Sequence, residues 1–108
     1  MSPILKLYSH NVHSLVTLEV LLLLARNPPA SFNMTALSKT CGVETATMTG
    51  SSKSLARAQL ATWTMPADLR ERYLVLTPKG AKLAREIIDY LKGREAKVEK
   101  VEPDLFAK

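Results

Sequence analysis

Hydroxyl and basic side chains are the groups in this sequence best suited to bind a ligand, and they cluster after residue 44. The cluster includes Thr45, Thr47, Thr49, Ser51, Ser52, Lys53 and Arg57. Such side chains hydrogen-bond to phosphate oxygens and to the edges of bases. The two cations come at the end of the segment, where they would touch phosphates. The pattern predicts a polar surface that suits a nucleic acid.

Arrangements that support catalysis or hold a metal are missing from the sequence. It has no Gly-rich phosphate loop, no nucleophile–base set with supporting spacing and no carboxylate pair in an apolar setting. His10 and His13 lack a third ligand nearby. Cys41, the single cysteine, excludes an internal disulfide and favours a small core residue over a redox sensor. We therefore expect no enzyme, catalytic residue, metal or cofactor.

Composition and charge are consistent with a polyanionic partner. The chain has 108 residues, which is most simply one domain, with a net charge of +5 and a pI near 9.6. Residues 33–80 carry six basic and three acidic groups, whereas residues 81–108 carry seven basic and six acidic groups. The excess of positive charge therefore falls on the segment that holds the polar cluster.

Helix signals divide the first half of the chain. We predict a buried helix from Asn11 or Ser14 to Arg26, ended by Pro28. Its apolar run is too short to span a membrane and contains Glu19, so we expect a cytoplasmic protein without a signal peptide. A helix over about 34–41, a turn at Gly42 and a second helix over about 45–58 form a helix-turn-helix. Leu37, Met48 and Leu55 are spaced to pack its two helices together.

Period-two alternation replaces the helical pattern after Leu60. Residues 60–64 and 70–76 are strand candidates, joined by a turn over 65–69. We interpret Trp63 as a packing residue of this hairpin. Thr77 and Pro78 then suit the start of a final helix. The predicted fold class is mainly α with a small β-hairpin wing, a winged helix-turn-helix.

The terminal segments are expected to join two copies of the chain. We divide it into an N-terminal arm (1–13), a winged helix-turn-helix (14–80) and a C-terminal helix with a charged tail (81–108). Residues 3–8 could be a helical turn or a packing arm. Leu83, Ile87 and Leu91 form one stripe, which is either core or, as we favour, a dimer seam. Gly93 could kink or end the helix, and the tail beyond is either a frayed helix or disordered.

Residues 34–80 resemble the winged-helix domain of the MarR family of bacterial transcription regulators. The family pattern has Leu-Ala-x-x-Leu-Gly-Val, then Thr-Val-Thr, a later Leu, an Asp-x-Arg wing and Leu-Thr-x-x-Gly. The matching positions here are Leu37 to Val43, Thr47-Met48-Thr49, Leu55, Asp68-Leu69-Arg70, and Leu76-Thr77 with Gly80. With the preceding helix and the start of the last one, the resemblance covers about residues 14–91.

The resemblance implies a homodimer that binds pseudo-palindromic double-stranded DNA. The recognition helix, about 45–58, would enter the major groove, and the wing, about 60–76, would reach the minor groove or backbone. Thr47 and Thr49 would contact phosphate or base edges, Arg70 would be the wing arginine, and Asp68 would orient it. Arg72, two residues further along the wing, is also a candidate DNA contact.

Three positions differ from the family pattern. Gly50 stands where the family usually has Arg, Ser51 where it prefers a bulky apolar residue, and Gln59 where a Gly normally ends the recognition helix. Gly50 and the serine-rich helix motivate a second hypothesis. In that hypothesis the winged helix is an accessory or anti-regulator that contacts a protein partner and binds DNA weakly and without sequence preference.

Overall fold

Five helices and a β-hairpin form residues 2–65 and 71–106, which the computed structural model describes with side chains as far as Arg94. The elements in chain order are α1 (Pro3–Ser9), α2 (Leu15–Ala25), α3 (Met34–Cys41), α4 (Thr45–Arg57), β1 (Ala61–Thr64), β2 (Tyr73–Leu76) and α5 (Pro78–Phe106).

Helix α2 lies at the centre of the core. Ser14 begins it, and its hydroxyl accepts hydrogen bonds from the Val16 and Thr17 amides at 3.1 and 3.4 Å. The helix is apolar on almost every side, and Val20 and Leu21 are completely buried. Contacts with α3, α4, α5 and β2 surround it. The predicted buried helix is therefore confirmed, with an end just before Pro28.

The helix-turn-helix is confirmed close to its predicted bounds. The Asn33 side chain accepts a hydrogen bond from the Ala36 amide at 2.8 Å and so caps α3. Gly42 ends α3 with a φ of +68°, a left-handed conformation that favours glycine. Leu37, Met48 and Leu55 are fully buried between the two helices and the rest of the core.

The wing is a two-stranded antiparallel hairpin of β1 and β2. Its register pairs Ala61 with Leu76 and Trp63 with Leu74. The second strand begins three residues later than the alternation predicted, because only Tyr73 to Leu76 pair with β1. The Leu74 amide also donates to the Phe32 carbonyl at 3.0 Å, which ties the hairpin to the segment before α3. The predicted fold class is confirmed.

Thr77 joins the wing to α5. Its amide donates to the Leu60 carbonyl at 3.0 Å, and its hydroxyl donates to the Gln59 carbonyl at 2.6 Å. The same hydroxyl accepts from the Gly80 amide at 3.0 Å, which caps the helix. Gln59 itself has a φ of +62°. The left-handed turn after α4 is thus made without the usual glycine, at a cost of about 1–2 kcal/mol.

The structure decides three questions about the terminal segments. Residues Pro3–Ser9 form a helix rather than a single turn, and Lys6 Nζ lies 2.9 Å from Glu86 Oε2 on α5. Helix α5 runs through Gly93 to Phe106 without ending. Leu83 and Ile87 are 6% and 0% exposed within the chain's own core, whereas Leu91 is 39% exposed. The dimer-seam assignment is therefore wrong for Leu83 and Ile87, because their side chains are already covered.

Candidate nucleic-acid interface

The outer face of α4 carries small and basic side chains. Thr45, Thr47, Lys53 and Arg57 are exposed and Thr49 is half-buried. The Thr49 hydroxyl donates to the Thr45 carbonyl at 2.9 Å, which leaves its lone pairs free to accept. No carboxylate occurs in the α4 sequence, TATMTGSSKSLAR. This face therefore presents hydroxyls and positive charge to solvent.

Ser51 and Ser52 do not belong to that face, which corrects the sequence-based prediction. They are 5% and 1% exposed. With Met48 and Leu55 they follow helical spacing and lie on the inner stripe of α4. Neither serine therefore lies on the exposed face that would meet DNA. The sequence indicated the burial of Ser51, since this serine stands where the family pattern has a bulky apolar residue.

The wing contributes Arg72 to the same region. Asp68 and Arg70, the residues of the predicted wing motif, lie outside the described residues. The Arg72 side chain is exposed, and its guanidinium carbon lies 5.7 Å from the centroid of the Trp63 ring. Trp63 is half-buried and packs against the core, as predicted. Sequence reasoning identified both residues but not their contact, which depends on the register of the hairpin.

A shallow cavity separates the wing from the start of α3. It has a volume of about 260 Å³ and is lined by Asn33, Met34, Thr35, Trp63, Glu71 and Arg72. The Asn33 side-chain amide donates to the Glu71 carboxylate across it. On its other side, the Thr49 hydroxyl of α4 lies 4.0 Å from Met34 Sδ. The face of α4, the first turn of α3 and the part of the wing around Trp63 and Arg72 therefore adjoin.

A second cavity lies between the end of α2, strand β2 and α5. It has a volume of about 560 Å³. Leu24, Leu74 and Ile88 contribute apolar walls, and Arg85 and Lys92 are among the charged residues at its rim. It includes none of the α4 residues and is a separate surface from the one described above.

Other reactive side chains do not form a site among residues 2–65 and 71–94. Burial raises the pKa of the Cys41 thiol, and the Glu19 carboxylate raises it further. The thiol therefore stays protonated near neutral pH. The His13 ring packs edge-on against Tyr8 at 4.3 Å between centroids. Within the described part of the chain, no three His, Cys, Asp or Glu residues are grouped as metal ligands. The described helices also include none that could cross a membrane.

Solved structures of MarR-family regulators share this fold. RV1404 from Mycobacterium tuberculosis superposes with a TM-score of 0.75 at 18% identity, over 87% of this chain and 63% of that one. MepR from S. aureus, in a complex with DNA, superposes with a TM-score of 0.70 at 19% identity, over 94% of this chain and 85% of that one. ZitR from Lactococcus lactis superposes with a TM-score of 0.69 at 17% identity, over 86% of this chain and 62% of that one.

The likeness is one of fold. No family model matches the sequence, and no curated protein matches it significantly. The chain spans less than two thirds of the length of the RV1404 and ZitR chains. The described residues therefore have the winged-helix fold of MarR-family regulators, in agreement with the resemblance of residues 34–80.

Proposed function

We propose that this protein is a DNA-binding transcriptional regulator that binds pseudo-palindromic duplex DNA as a homodimer. Helix α4 enters the major groove, and the wing lies on the neighbouring minor groove or backbone. One observation carries the proposal: the outer face of α4 combines small hydroxyl side chains with Lys53 and Arg57 and contains no carboxylate.

The small side chains on α4 let its backbone approach the bases closely. A major groove about 12 Å wide admits an α-helix. Ala46 and Gly50 are exposed on α4 and add little bulk, so Thr45, Thr47 and Thr49 can reach base edges or phosphates. Lys53 and Arg57 lie in the second half of the helix, where they contact phosphates and release counterions.

The structural comparisons support this use of the fold. MepR was solved as a complex with DNA and superposes on 94% of this chain. That complex concerns MepR, and the proposal extends its mode of binding to the present chain. The excess of basic residues in positions 33–80 adds an electrostatic reason.

The terminal elements supply the surface for a second copy. Among the described side chains, the large apolar residues exposed on α1, on α5 and at the start of α2 are Leu5, Tyr8, Leu15 and Leu91. Their burial in a two-fold dimer would place two recognition helices for the two halves of a palindrome. In this proposal residues 14–80 bind DNA, residues 1–13 and 81–108 join the subunits, and the protein acts in the cytoplasm, on the nucleoid when bound.

A pair of lysine substitutions tests the proposal. Lys53→Ala should weaken duplex binding and lower the salt slope by about one. Lys92→Ala removes the same charge from an exposed position on α5, and a Lys92→Ala protein that sedimentation velocity shows to be as dimeric as the wild type should leave both quantities unchanged. Equal effects of the two variants would mean that only net charge attracts DNA. Weak binding without sequence preference would then support the alternative, a module for a protein partner.

A further inference from the structure

Arg72 and Trp63 are diagonal neighbours on one face of the wing. Trp63 pairs with Leu74 in the hairpin, and residues two apart on a strand point to the same face. Arg72 comes two residues before Leu74 and so lies diagonally across from Trp63. The distance of 5.7 Å from the guanidinium carbon to the ring centroid is within the roughly 6 Å over which a cation is attracted to an aromatic face.

The core holds the indole ring in place. Trp63 packs against the buried cluster, and its cross-strand partner Leu74 is 1% exposed. The ring is therefore a fixed surface beneath the guanidinium. An arginine that rests on such a surface is already ordered, and little further freedom is lost when its planar fork binds an anion. The indole lies on one side of the guanidinium, whose N–H groups extend in the guanidinium plane and can donate to an anion.

The carboxylate beside Arg72 is engaged elsewhere. Glu71 accepts a hydrogen bond from the Asn33 side-chain amide, and the Asn33 oxygen caps α3. The salt bridges among the described side chains join Lys6 to Glu86 and Arg26 to Glu19. Among the described side chains, therefore, no carboxylate forms a salt bridge with Arg72.

The position of the pair suits a phosphate of the duplex. Arg72 lines the cavity at the first turn of α3, and Met34 in that cavity contacts Thr49 of α4. A duplex with α4 in its major groove and the wing at its minor groove must pass a sugar–phosphate strand between them. The first helix of a helix-turn-helix crosses the backbone, so in such a complex the guanidinium would face a phosphate.

We propose that Trp63 is a positioning residue that holds Arg72 for a phosphate contact between the recognition helix and the wing. The inference rests on the proposed DNA-binding function. Its partner is the phosphate backbone, so the contact adds affinity and register at every sequence rather than a choice of base. Stacking on the indole before binding makes this contact stronger than that of a solvated arginine elsewhere on the surface.

Trp63 reports on the pair directly, since it is the only tryptophan in the chain. In the free protein, Arg72→Ala should expose the ring and increase quenching of its fluorescence by acrylamide. Arg85→Ala, an exposed arginine on α5, removes the same side chain and should leave quenching unchanged. Unchanged quenching in the Arg72→Ala protein would mean that the guanidinium does not cover the ring, which would overturn the inference without any DNA measurement.

A double-mutant cycle tests the contact on duplex DNA. Arg72→Ala should lower the salt slope by about one. Trp63→Leu should lower affinity about two- to fivefold through loss of stacking. When Arg72→Ala is already present, adding Trp63→Leu should cause no further loss of affinity. Trp63→Phe keeps an aromatic face and should retain most of the affinity. It also serves as a second variant in case the leucine variant folds poorly.

The outcomes separate the inference from the function on which it rests. If wild-type protein binds its duplex but the two substitutions reduce affinity independently, Trp63 does not act through Arg72 and only the inference fails. Trp63→Phe as damaging as Trp63→Leu would also overturn it. If wild-type protein does not bind duplex DNA at all, the proposed function and the phosphate contact fail together.

Discussion

Gly50 lies on the outer face of α4, and a Cβ built on it meets no atom within 4 Å. The position is therefore open to any side chain, although glycine within a helix costs about 1 kcal/mol relative to alanine. On the surface that we propose to face DNA, Gly50 stands where the family pattern has a cation. We therefore expect one phosphate contact fewer at this position and a closer approach of the α4 backbone to the duplex.

Restoring that cation should increase binding. Gly50→Arg adds one phosphate contact on the face of α4, so affinity should rise and the salt slope should increase by about one. Titrations of labelled duplex at several salt concentrations measure both quantities.

Gly93→Arg is the matched control for the added charge. Gly93 is an exposed helical glycine on α5 with equally open surroundings. The Gly93→Arg protein changes the net charge by the same amount, and once sedimentation velocity shows it to be as dimeric as the wild type, its salt slope should equal that of the wild type. A Gly50→Arg protein that binds no better than the control would show that α4 does not face DNA.

Ser52 shows that a hydroxyl on α4, the proposed recognition helix, is part of the core. Its oxygen is buried without a hydrogen-bond partner among the described atoms. Ser52→Ala should therefore increase the free energy of unfolding by about 1 kcal/mol, since an unsatisfied buried hydroxyl is removed. Duplex affinity should not change. Urea denaturation and a binding titration test both statements, and a tenfold loss of affinity would contradict the buried assignment.

At the level of elements, the close approach of α5 to the loop after α4 sets the position of the wing. A Cβ on Gly80 would stand 1.8 Å from the Leu60 carbonyl oxygen, well inside contact distance. The backbone of α5 therefore reaches the Leu60 segment only because residue 80 has no side chain. The Leu-Thr-x-x-Gly pattern thus meets a packing requirement. Thr77 caps α5, and Gly80 is the residue at which α5 contacts the Leu60 backbone.

Gly80→Ala should disrupt that junction. We expect a loss of about 3 kcal/mol in the free energy of unfolding, because backbone must move to admit the methyl group. Gly93→Ala, in the same helix but in open space, should instead gain about 1 kcal/mol. Chemical denaturation of both variants gives the comparison. Similar stabilities for the two proteins would contradict the described contact.

Much of the fold could be predicted from the sequence because local signals mark its boundaries. Ser14, Asn33 and Thr77 cap helices, Pro28 follows the end of α2, and Gly42 ends α3. These effects act within a few residues and need no knowledge of the tertiary fold. The late start of β2 had no such marker, because pairing with β1 and with Phe32 decides it.

The candidate site was less predictable, since it depends on contacts between distant segments. The residue types indicated that α4 is polar, but the rotation of the helix about its axis places Ser51 and Ser52 on the side that faces the core. The position of Arg72 over the Trp63 ring follows from the register of the hairpin, and the approach of Met34 to Thr49 follows from helix packing. Neither is a property of a local pattern. The roles of Asp68 and Arg70 remain predictions from the family resemblance.

At the level of the whole molecule, the proposal requires two copies in a fixed relation. Leu5 on α1 and Leu15 at the start of α2 are 57% and 83% exposed, and the proposed dimer would remove their apolar surface from water. Two recognition helices placed by such a dimer would bind half-sites about one helical turn apart. Disruption of the dimer should therefore weaken DNA binding without any change in α4.

Leu5→Glu should convert the dimer to monomer. Loss of about 2 kcal/mol of apolar burial per subunit raises the dimer dissociation constant by at least about a hundredfold. Met65→Glu is the control, because Met65 is 58% exposed on the wing, almost the same as Leu5. Sedimentation velocity over a concentration series measures the dimer dissociation constant of each variant. Dimers of equal strength in both variants would show that α1 is outside the interface.

The central claim is sequence-selective binding of duplex DNA, and fluorescence anisotropy tests it most directly. The wild-type protein is titrated into a duplex from its own upstream region and into a scrambled duplex of the same composition, at two salt concentrations. Specific binding exceeds non-specific binding by about 10³-fold or more at physiological salt, and we predict a gap of that size. Weak binding that is equal on both duplexes and disappears with salt would contradict the account.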